Sequence, residues 1–374
     1  MTPDPANTVF QRHANPCVDD VRPYIPGPTS AAIGSRYGFS SDQMVKLSSN
    51  EAPLGPSPSV RDAIRQVAGG DDLHRYPSPT MPELRKAVAT LHGLKPEQVL
   101  PGAGSSDTWP LIVRAFSVAG EEILVTEPSM TSYAEVATLC ERRAVTLDLA
   151  YPFLVSATAV LRLVTPATRV IFLSSPNNTT SRLIDPATIL EIARGAQEAV
   201  VVVDEHYIEA ADDYQEVSAV TLIPKATNII VTRSLSKMYG LAGIRVGYAV
   251  GPEPAITRLM KFKSKWNISV VADAAARAAL ADEAHLTRNI EMTREGRDFL
   301  LEGLRALPGI QLVPDAQGGF LLFRVLAGSA GDILEQLYKR GIIVRDDLLD
   351  GYIRVSVGTP EQNRQFLTAL KAAL

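Results

Sequence analysis

Cysteine is almost missing from this chain: Cys17 and Cys140 are the two in 374 residues. Two thiols supply neither a disulfide framework nor a clustered zinc site, and both are expected to stay reduced. Charge of one sign is also scarce. With a formal net charge of −4, the sequence has no basic field to attract nucleic acid or an anionic membrane, so a small molecule is the default partner. No uninterrupted apolar run reaches the roughly 18 residues of a membrane-spanning helix. The first residues, Met1 to Asn7, lack the basic and apolar segments of a secretory signal, which makes a cytoplasmic location the expectation. Neither an internal repeat nor a low-complexity tract is present.

What the chain has is apolar mass. At 46% hydrophobic and 21% charged, it can bury a large core in one compact unit or two lobes. Residues 1–30 are proline-rich and without sustained period, an irregular arm that must be tied down by contact. From about residue 50, continuously apolar runs at 123–125, 169–174, 199–203 and 228–232 alternate with helix-like stretches such as 105–118 and 186–197. Strands buried on both faces have this pattern, and the alternation predicts an α/β fold with right-handed crossovers: a mainly parallel sheet with helices on both faces. A helical region over 253–307, broken near 266–269, leads to apolar runs at 319–325, 342–345 and 353–357 around a helix-like 330–340. That last part predicts a small α+β domain. The expected division is an N-terminal arm at 1–50 belonging to the small domain, a large domain at 51–265, and a linking helix with the small C-terminal domain at 266–374.

Ligands of open parallel sheets bind beyond the carboxyl ends of the strands, so the polar residues closing each apolar run come first. These are Ser174-Ser175-Pro176-Asn177-Asn178, then Asp204-Glu205-His206-Tyr207, then Thr232-Arg233-Ser234-Leu235-Ser236-Lys237. Amide, carboxylate, hydroxyl and amine thus converge on one edge. Pro101-Gly102-Ala103-Gly104-Ser105-Ser106-Asp107 opens a helix, where free N–H groups and the helix dipole favour a phosphate. Alone it is weak, because glycine turns before helices are usually structural.

The stretch Ser234-Leu235-Ser236-Lys237-Met238-Tyr239-Gly240-Leu241-Ala242-Gly243-Ile244-Arg245-Val246-Gly247-Tyr248 closely resembles the cofactor-lysine segment of class I/II aminotransferases of fold type I. A lone lysine is usually a solvated surface charge; this motif reverses the odds. The resemblance implies pyridoxal 5′-phosphate held as a Schiff base on Lys237, with Arg245 and either Ser234 or Ser236 on its phosphate, beside Gly104, Ser105 and Ser106. It also implies Asp204 at the pyridine nitrogen and Tyr207 and Asn178 at the phenolic oxygen. A carboxylate there keeps the ring nitrogen protonated, and Lys237, once displaced, can carry a proton. Within the superfamily the chain is most similar to histidinol-phosphate aminotransferases, through Arg22–Gly27, Lys46–Pro58, Arg75–Pro79, Gly341–Arg345 and Tyr352–Thr359. On that resemblance Arg354 grips the substrate's anionic end with a planar fork. Tyr24 and Asn50 match substrate-side positions, with a merely structural role as the alternative for each. Tyr76 matches a tyrosine that reaches the neighbouring subunit's cofactor phosphate, which implies a homodimer with shared active sites; the alternative is an aromatic packed beside a proline-rich turn.

Departures from the family pattern cluster near the ring. Met130 stands where an aromatic normally covers it. Asn178-Thr179-Thr180-Ser181 lacks the family's proline and glycine, and with glycine goes its tolerance of unusual backbone angles. His206 replaces a small residue and, by strand alternation, is expected to point away into packing; turned inward it would be an extra titratable group. Ala52 and Gly319 replace asparagines on the substrate side and put histidinol phosphate itself in doubt. The leading function is ping-pong transfer of an amino group from an amino acid or phosphorylated amino alcohol to a 2-oxo acid. The alternative is decarboxylation or oxidative deamination of a specialised amino acid on the same cofactor, because substrate-holding groups decide which α-carbon bond lies perpendicular to the ring. A regulatory protein without turnover is disfavoured by the complete catalytic set, and no basic extension suggests DNA binding.

Overall fold

The continuously apolar runs become neighbouring strands of one sheet. The protein is represented by a computed structural model that describes residues 8–23, 27, 29–346 and 348–374. Among these residues the strands are β1 (Val45–Lys46), β2 (Val99–Gly102), β3 (Glu122–Glu127), β4 (Arg143–Asp148), β5 (Thr168–Ser174), β6 (Val200–Asp204), β7 (Ile229–Ser234), β8 (Gly247–Val250), β9 (Ile310–Leu312), β10 (Phe320–Val325), β11 (Ile342–Ile343) and β12 (Tyr352–Ser356). Seven form the main sheet in the order β2-β8-β7-β6-β5-β3-β4. It is mainly parallel; β8 runs antiparallel to both its neighbours.

Both faces of the central strands are buried, which explains why alternation is absent from their sequence. Ile171, Leu173, Val201, Val203, Ile229 and Val231 enter the core on one face. Val170, Phe172, Val202 and Ile230 enter the core on the other. At roughly 1.5–3 kcal/mol for each fully buried aliphatic or aromatic side chain, this double burial holds these strands at the centre of the sheet. Parallel pairing then aligns Ser174 with Asp204 and Asp204 with Thr232 at the carboxyl ends.

The helical region breaks in two places. Helices span Glu253–Phe262, Val270–Ala281 and Glu283–Arg305. The second break, absent from the sequence expectation, is a cap: Asp282 accepts from the His285 backbone N–H at 3.1 Å and so starts the last helix. Beyond it, β9, β10 and β12 form an antiparallel sheet in the order β12-β10-β9, with its own apolar core around Leu321, Phe323, Ile353 and Phe366.

The N-terminal segment is less irregular than expected. It contains short helical turns at Val9–Arg12 and Pro16–Val18 and a helix at Ser30–Tyr37, capped by Thr29 and ended by Gly38. Ile33 and Met44 pack with Tyr338 and Ile343, and β1 pairs in parallel with β11. This segment therefore belongs to the packing of the second sheet's layer. Among the described residues no helix is long and apolar enough to cross a membrane.

Candidate active site

The site lies where the main sheet's carboxyl edge meets the 48–50 segment and β12. Lys237, on the turn after β7, donates from Nζ to the Ser49 carbonyl at 2.9 Å and lies 5.2 Å from the Tyr207 ring centroid. Asn50, at φ 54°, is buried; its Nδ2 donates to the Tyr207 hydroxyl at 3.0 Å, and its Oδ1 accepts from Ser356 at 2.7 Å. Arg354 on β12 donates from Nη1 to the Asn178 carbonyl at 2.7 Å and from Nη2 to the Ser48 carbonyl at 3.0 Å, above the Phe320 ring. The arm, the sheet edge and the small lobe thus converge on one amine, one phenol and one guanidinium.

Burial alone would raise the Tyr207 phenol. The Lys237, His206 and Arg354 charges and the Asn50 amide outweigh it and bring the phenol down to about 7. Asp204, 0% exposed at the end of β6, accepts from Tyr133 Oη at 2.6 Å, from His206 Nδ1 at 2.8 Å and from Thr232 Oγ1 at 2.9 Å. The expectation for His206 is therefore corrected: it does not point away. β6 ends at Asp204, and from the turn that follows the imidazole reaches back to the carboxylate.

A second cluster brings backbone N–H groups, hydroxyls and a guanidinium together. Gly104, at φ +89°, precedes a 3-10 turn at Ser105–Asp107 that continues into the helix Thr108–Phe116. A side chain at Gly104 would sit 2.5 Å from Arg245 Nη2. One at Gly247 on β8 would sit 2.6 Å from the Ser105 backbone nitrogen. Both glycines thus hold backbone and guanidinium together where any larger residue would fill the cradle. Arg245 also donates to Ser236 Oγ at 3.2 Å, whereas Ser234 Oγ accepts from the Ser236 backbone N–H at 3.1 Å. The structure therefore puts Ser236, rather than Ser234, beside the arginine. Ser106 follows in the same turn and is exposed.

Asn178 is buried and directs Nδ2 to the Met130 sulfur at 3.5 Å. In the place of the expected glycine, Ser181 adopts φ 65° and accepts from the Gly318 backbone N–H at 2.8 Å. The hydroxyl supports a strained conformation. At Gly319 a side chain would approach Thr293 Cγ2 to 3.0 Å, so this chain leaves little room for the asparagine of the family pattern. Tyr76 does not join the cluster within one chain; it is 78% exposed and stacks on Trp266 at 4.4 Å between centroids. Tyr24 lies outside the described residues. Sequence reasoning missed Tyr133 and Thr232 as partners of Asp204. Thr232 stood in a quoted stretch, but Tyr133 belongs to the helix Ser132–Leu139 and only its stacking on Phe172 at 4.8 Å aims it.

The donor set fits pyridoxal phosphate: a pocket of backbone N–H groups, hydroxyls and a guanidinium, a half-buried amine, a buried carboxylate, and a phenol beside the amine. Residues 42–370 match the family model for aminotransferase class I and II. The chain is 33% identical to histidinol-phosphate aminotransferase of Methanocella arvoryzae over 96% of this chain and 97% of that one. It is 35% identical to the enzyme of the same name from Methanococcoides burtonii, over 94% and 96%. Among solved structures, histidinol-phosphate aminotransferase from Sinorhizobium meliloti in complex with pyridoxal-5′-phosphate superposes with a TM-score of 0.84 at 24% identity, covering 96% and 97%. A double mutant of Thermus thermophilus aspartate aminotransferase gives 0.82 at 25%, covering 96% and 99%. These likenesses support amino transfer, and nothing in them supports decarboxylation or oxidative deamination. The chain belongs to the class I and II aminotransferase family and is a pyridoxal-phosphate-dependent aminotransferase of fold type I.

Proposed function

We propose that Lys237 is the amine that carries the cofactor and that Arg354 receives the anionic end of an amine substrate, either a carboxylate or a phosphate. Histidinol phosphate, the substrate in the relatives' name, falls within that class, and a 2-oxo acid completes the exchange. The single observation behind this assignment is the placement of Lys237 Nζ between the Ser49 carbonyl and the Tyr207 ring, with Arg354 fixed across the same gap. Bound there, pyridoxal phosphate supplies an electron-poor ring that takes up the electron pair left on the substrate's α-carbon.

The chain's own groups divide the remaining work. Gly104, Ser105, Ser106, Ser236 and Arg245 hold the phosphate through backbone N–H groups, hydroxyls and a guanidinium. Asp204 would face the ring nitrogen and favour its charged form. Tyr207 and Asn178 would serve the ring oxygen, and the Met130 thioether would cover the ring. Lys237, with its amine free, would be the group that holds and moves the α-carbon proton. Asn50 would border the substrate, as would Tyr24 on the family resemblance. Residues 1–50 would act as an arm of the small domain, 51–265 as the cofactor domain and 266–374 as the linking helix and small domain. Two copies would share their sites, Tyr76 of each reaching the other's phosphate cradle.

Lys237→Ala is expected to abolish both the visible absorbance of bound cofactor and amino transfer, and retained turnover would sink the assignment. The substrate is tested by single-turnover absorbance with amino acids and phosphorylated amino alcohols, followed by mass analysis. Products with the carbon skeleton intact identify transfer; carbon dioxide release or oxygen consumption would refute it.

A further inference from the structure

Asp204 receives more donors than a single ring nitrogen requires. Tyr133 and His206 both donate to Oδ2, at 2.6 and 2.8 Å, and Thr232 donates to Oδ1 at 2.9 Å. Two of these donors come from rigid elements, Thr232 from β7 and Tyr133 from a helix whose ring is locked between Trp109 and Phe172. Burial and the Asp204 charge hold the Tyr133 proton on its oxygen, so it is a neutral donor. His206 differs from both. It stands on the turn after β6, is 4% exposed, and its ring centroid is 4.0 Å from that of Tyr207. Its Nε2 is buried and has no hydrogen-bond partner among the described residues.

Beside a carboxylate Nδ1 must carry the proton, whatever the state of Nε2. Burial opposes charge on the ring, but the Asp204 carboxylate and Tyr207 outweigh it and raise the imidazole's proton affinity; Lys237 opposes them. Glu209 also feels the imidazole's charge. The charged and titratable groups facing His206 are thus Asp204, Tyr207, Lys237 and Glu209, with Tyr133 on the shared oxygen. The Asp204 carboxylate, 2.8 Å from Nδ1, thus favours the protonated imidazole against the opposing effect of burial.

We propose that His206 is a positioning residue of the cofactor site: its Nδ1–H fixes the Asp204 carboxylate, and its positive charge offsets that carboxylate beside Lys237. The proposal rests on the assignment of Lys237 and Asp204 to the cofactor. Tyr133 and Thr232 alone leave the carboxylate free to rock about the line joining them, and the third donor stops this. Because Asp204 would in turn fix the ring nitrogen, the effect reaches the cofactor without His206 touching the substrate.

The test uses pyridoxal-phosphate-loaded protein, measuring cofactor dissociation and the pH midpoint of the bound cofactor's visible band. His206→Ala should weaken cofactor binding about tenfold and move the midpoint to higher pH, because a positive neighbour of Lys237 is lost. His206→Asn keeps a donor near the Nδ1 position without the charge; it should restore binding to within about threefold of wild type while keeping the shifted midpoint. Alanine binding the cofactor within about twofold of wild type, asparagine no better than alanine, or an unmoved midpoint in both variants would each overturn the proposal. If the alanine variant does not fold, the asparagine variant decides alone through its midpoint. Lys237→Ala separates the two levels: a pH-sensitive visible band surviving in that variant would refute the cofactor assignment itself.

Discussion

Tyr207 is the clearest case of a side chain whose chemistry is set by neighbours from three parts of the chain. Its phenol is held down to about 7 by Lys237, His206, Arg354 and Asn50, against the upward pull of burial. In cofactor-free protein the near-ultraviolet tyrosinate signal should therefore rise with a midpoint near 7, and Tyr207→Phe should remove that step. The sign for stability follows from the folded value lying below the unfolded one. The phenolate contributes fully above the unfolded value of about 10 and progressively less as pH falls toward the folded value. The stability gap between wild type and the phenylalanine variant should accordingly widen from pH 7 upward; a gap that narrows would contradict the assignment. Arg354 rests on geometry, with its two terminal nitrogens held by the Asn178 and Ser48 carbonyls. Lysine is a point charge without that fork. Arg354→Lys is expected to lower kcat/KM by about 10²-fold, or about 2.7 kcal/mol, with cofactor absorbance retained.

The loop that joins β2 to the helix Thr108–Phe116 acts as one element. Its turn at Gly104 has φ +89° and leaves no space on the Arg245 side. Gly104→Ala adds a methyl against the guanidinium and forces a left-handed backbone that costs roughly 1–2 kcal/mol outside glycine. Cofactor affinity should fall about tenfold and thermal stability with it; unchanged affinity would show that the cradle lies elsewhere. Legibility at this scale followed burial. β5, β6 and β7 were readable because both their faces are covered. β2, four residues including Pro101, and β8, four residues overlapping the end of the lysine motif, are too short to show a pattern. β4 is an edge strand with exposed positions, and the helix break at Asp282 has one capping residue as its signal.

At the scale of the molecule, exposed aromatics lie beside the loop that the phosphate would meet. Trp266, 46% exposed, carries the stacked Tyr76, and the adjacent Asn267 donates to Asp107 Oδ2 at 2.9 Å. A shared-site dimer would cover this surface. Sedimentation should then give twice the chain mass of 40.3 kDa. Mixing Lys237→Ala and Tyr76→Ala chains should regenerate one intact site per hybrid, with roughly a quarter of wild-type activity in a random mixture. No recovery, with both variants individually impaired, would place Tyr76 in its own chain's packing.

The sequence by itself determined the sheet's central strands and offered the lysine motif, with Asp204, Tyr207, Asn178 and Arg245 as the residues proposed to serve the same site. Local burial carries the strands, and resemblance to the family carries the site residues. Tertiary structure decided the rest. Whether Ser234 or Ser236 meets Arg245 depends on how β7 ends; whether His206 faces in or out depends on the path of the turn after β6. Tyr133 meets Asp204, 71 positions away, because ring stacking fixes its helix against the sheet. Contacts between distant segments leave no period in the chain, and they are what turn a set of suitable residues into one site.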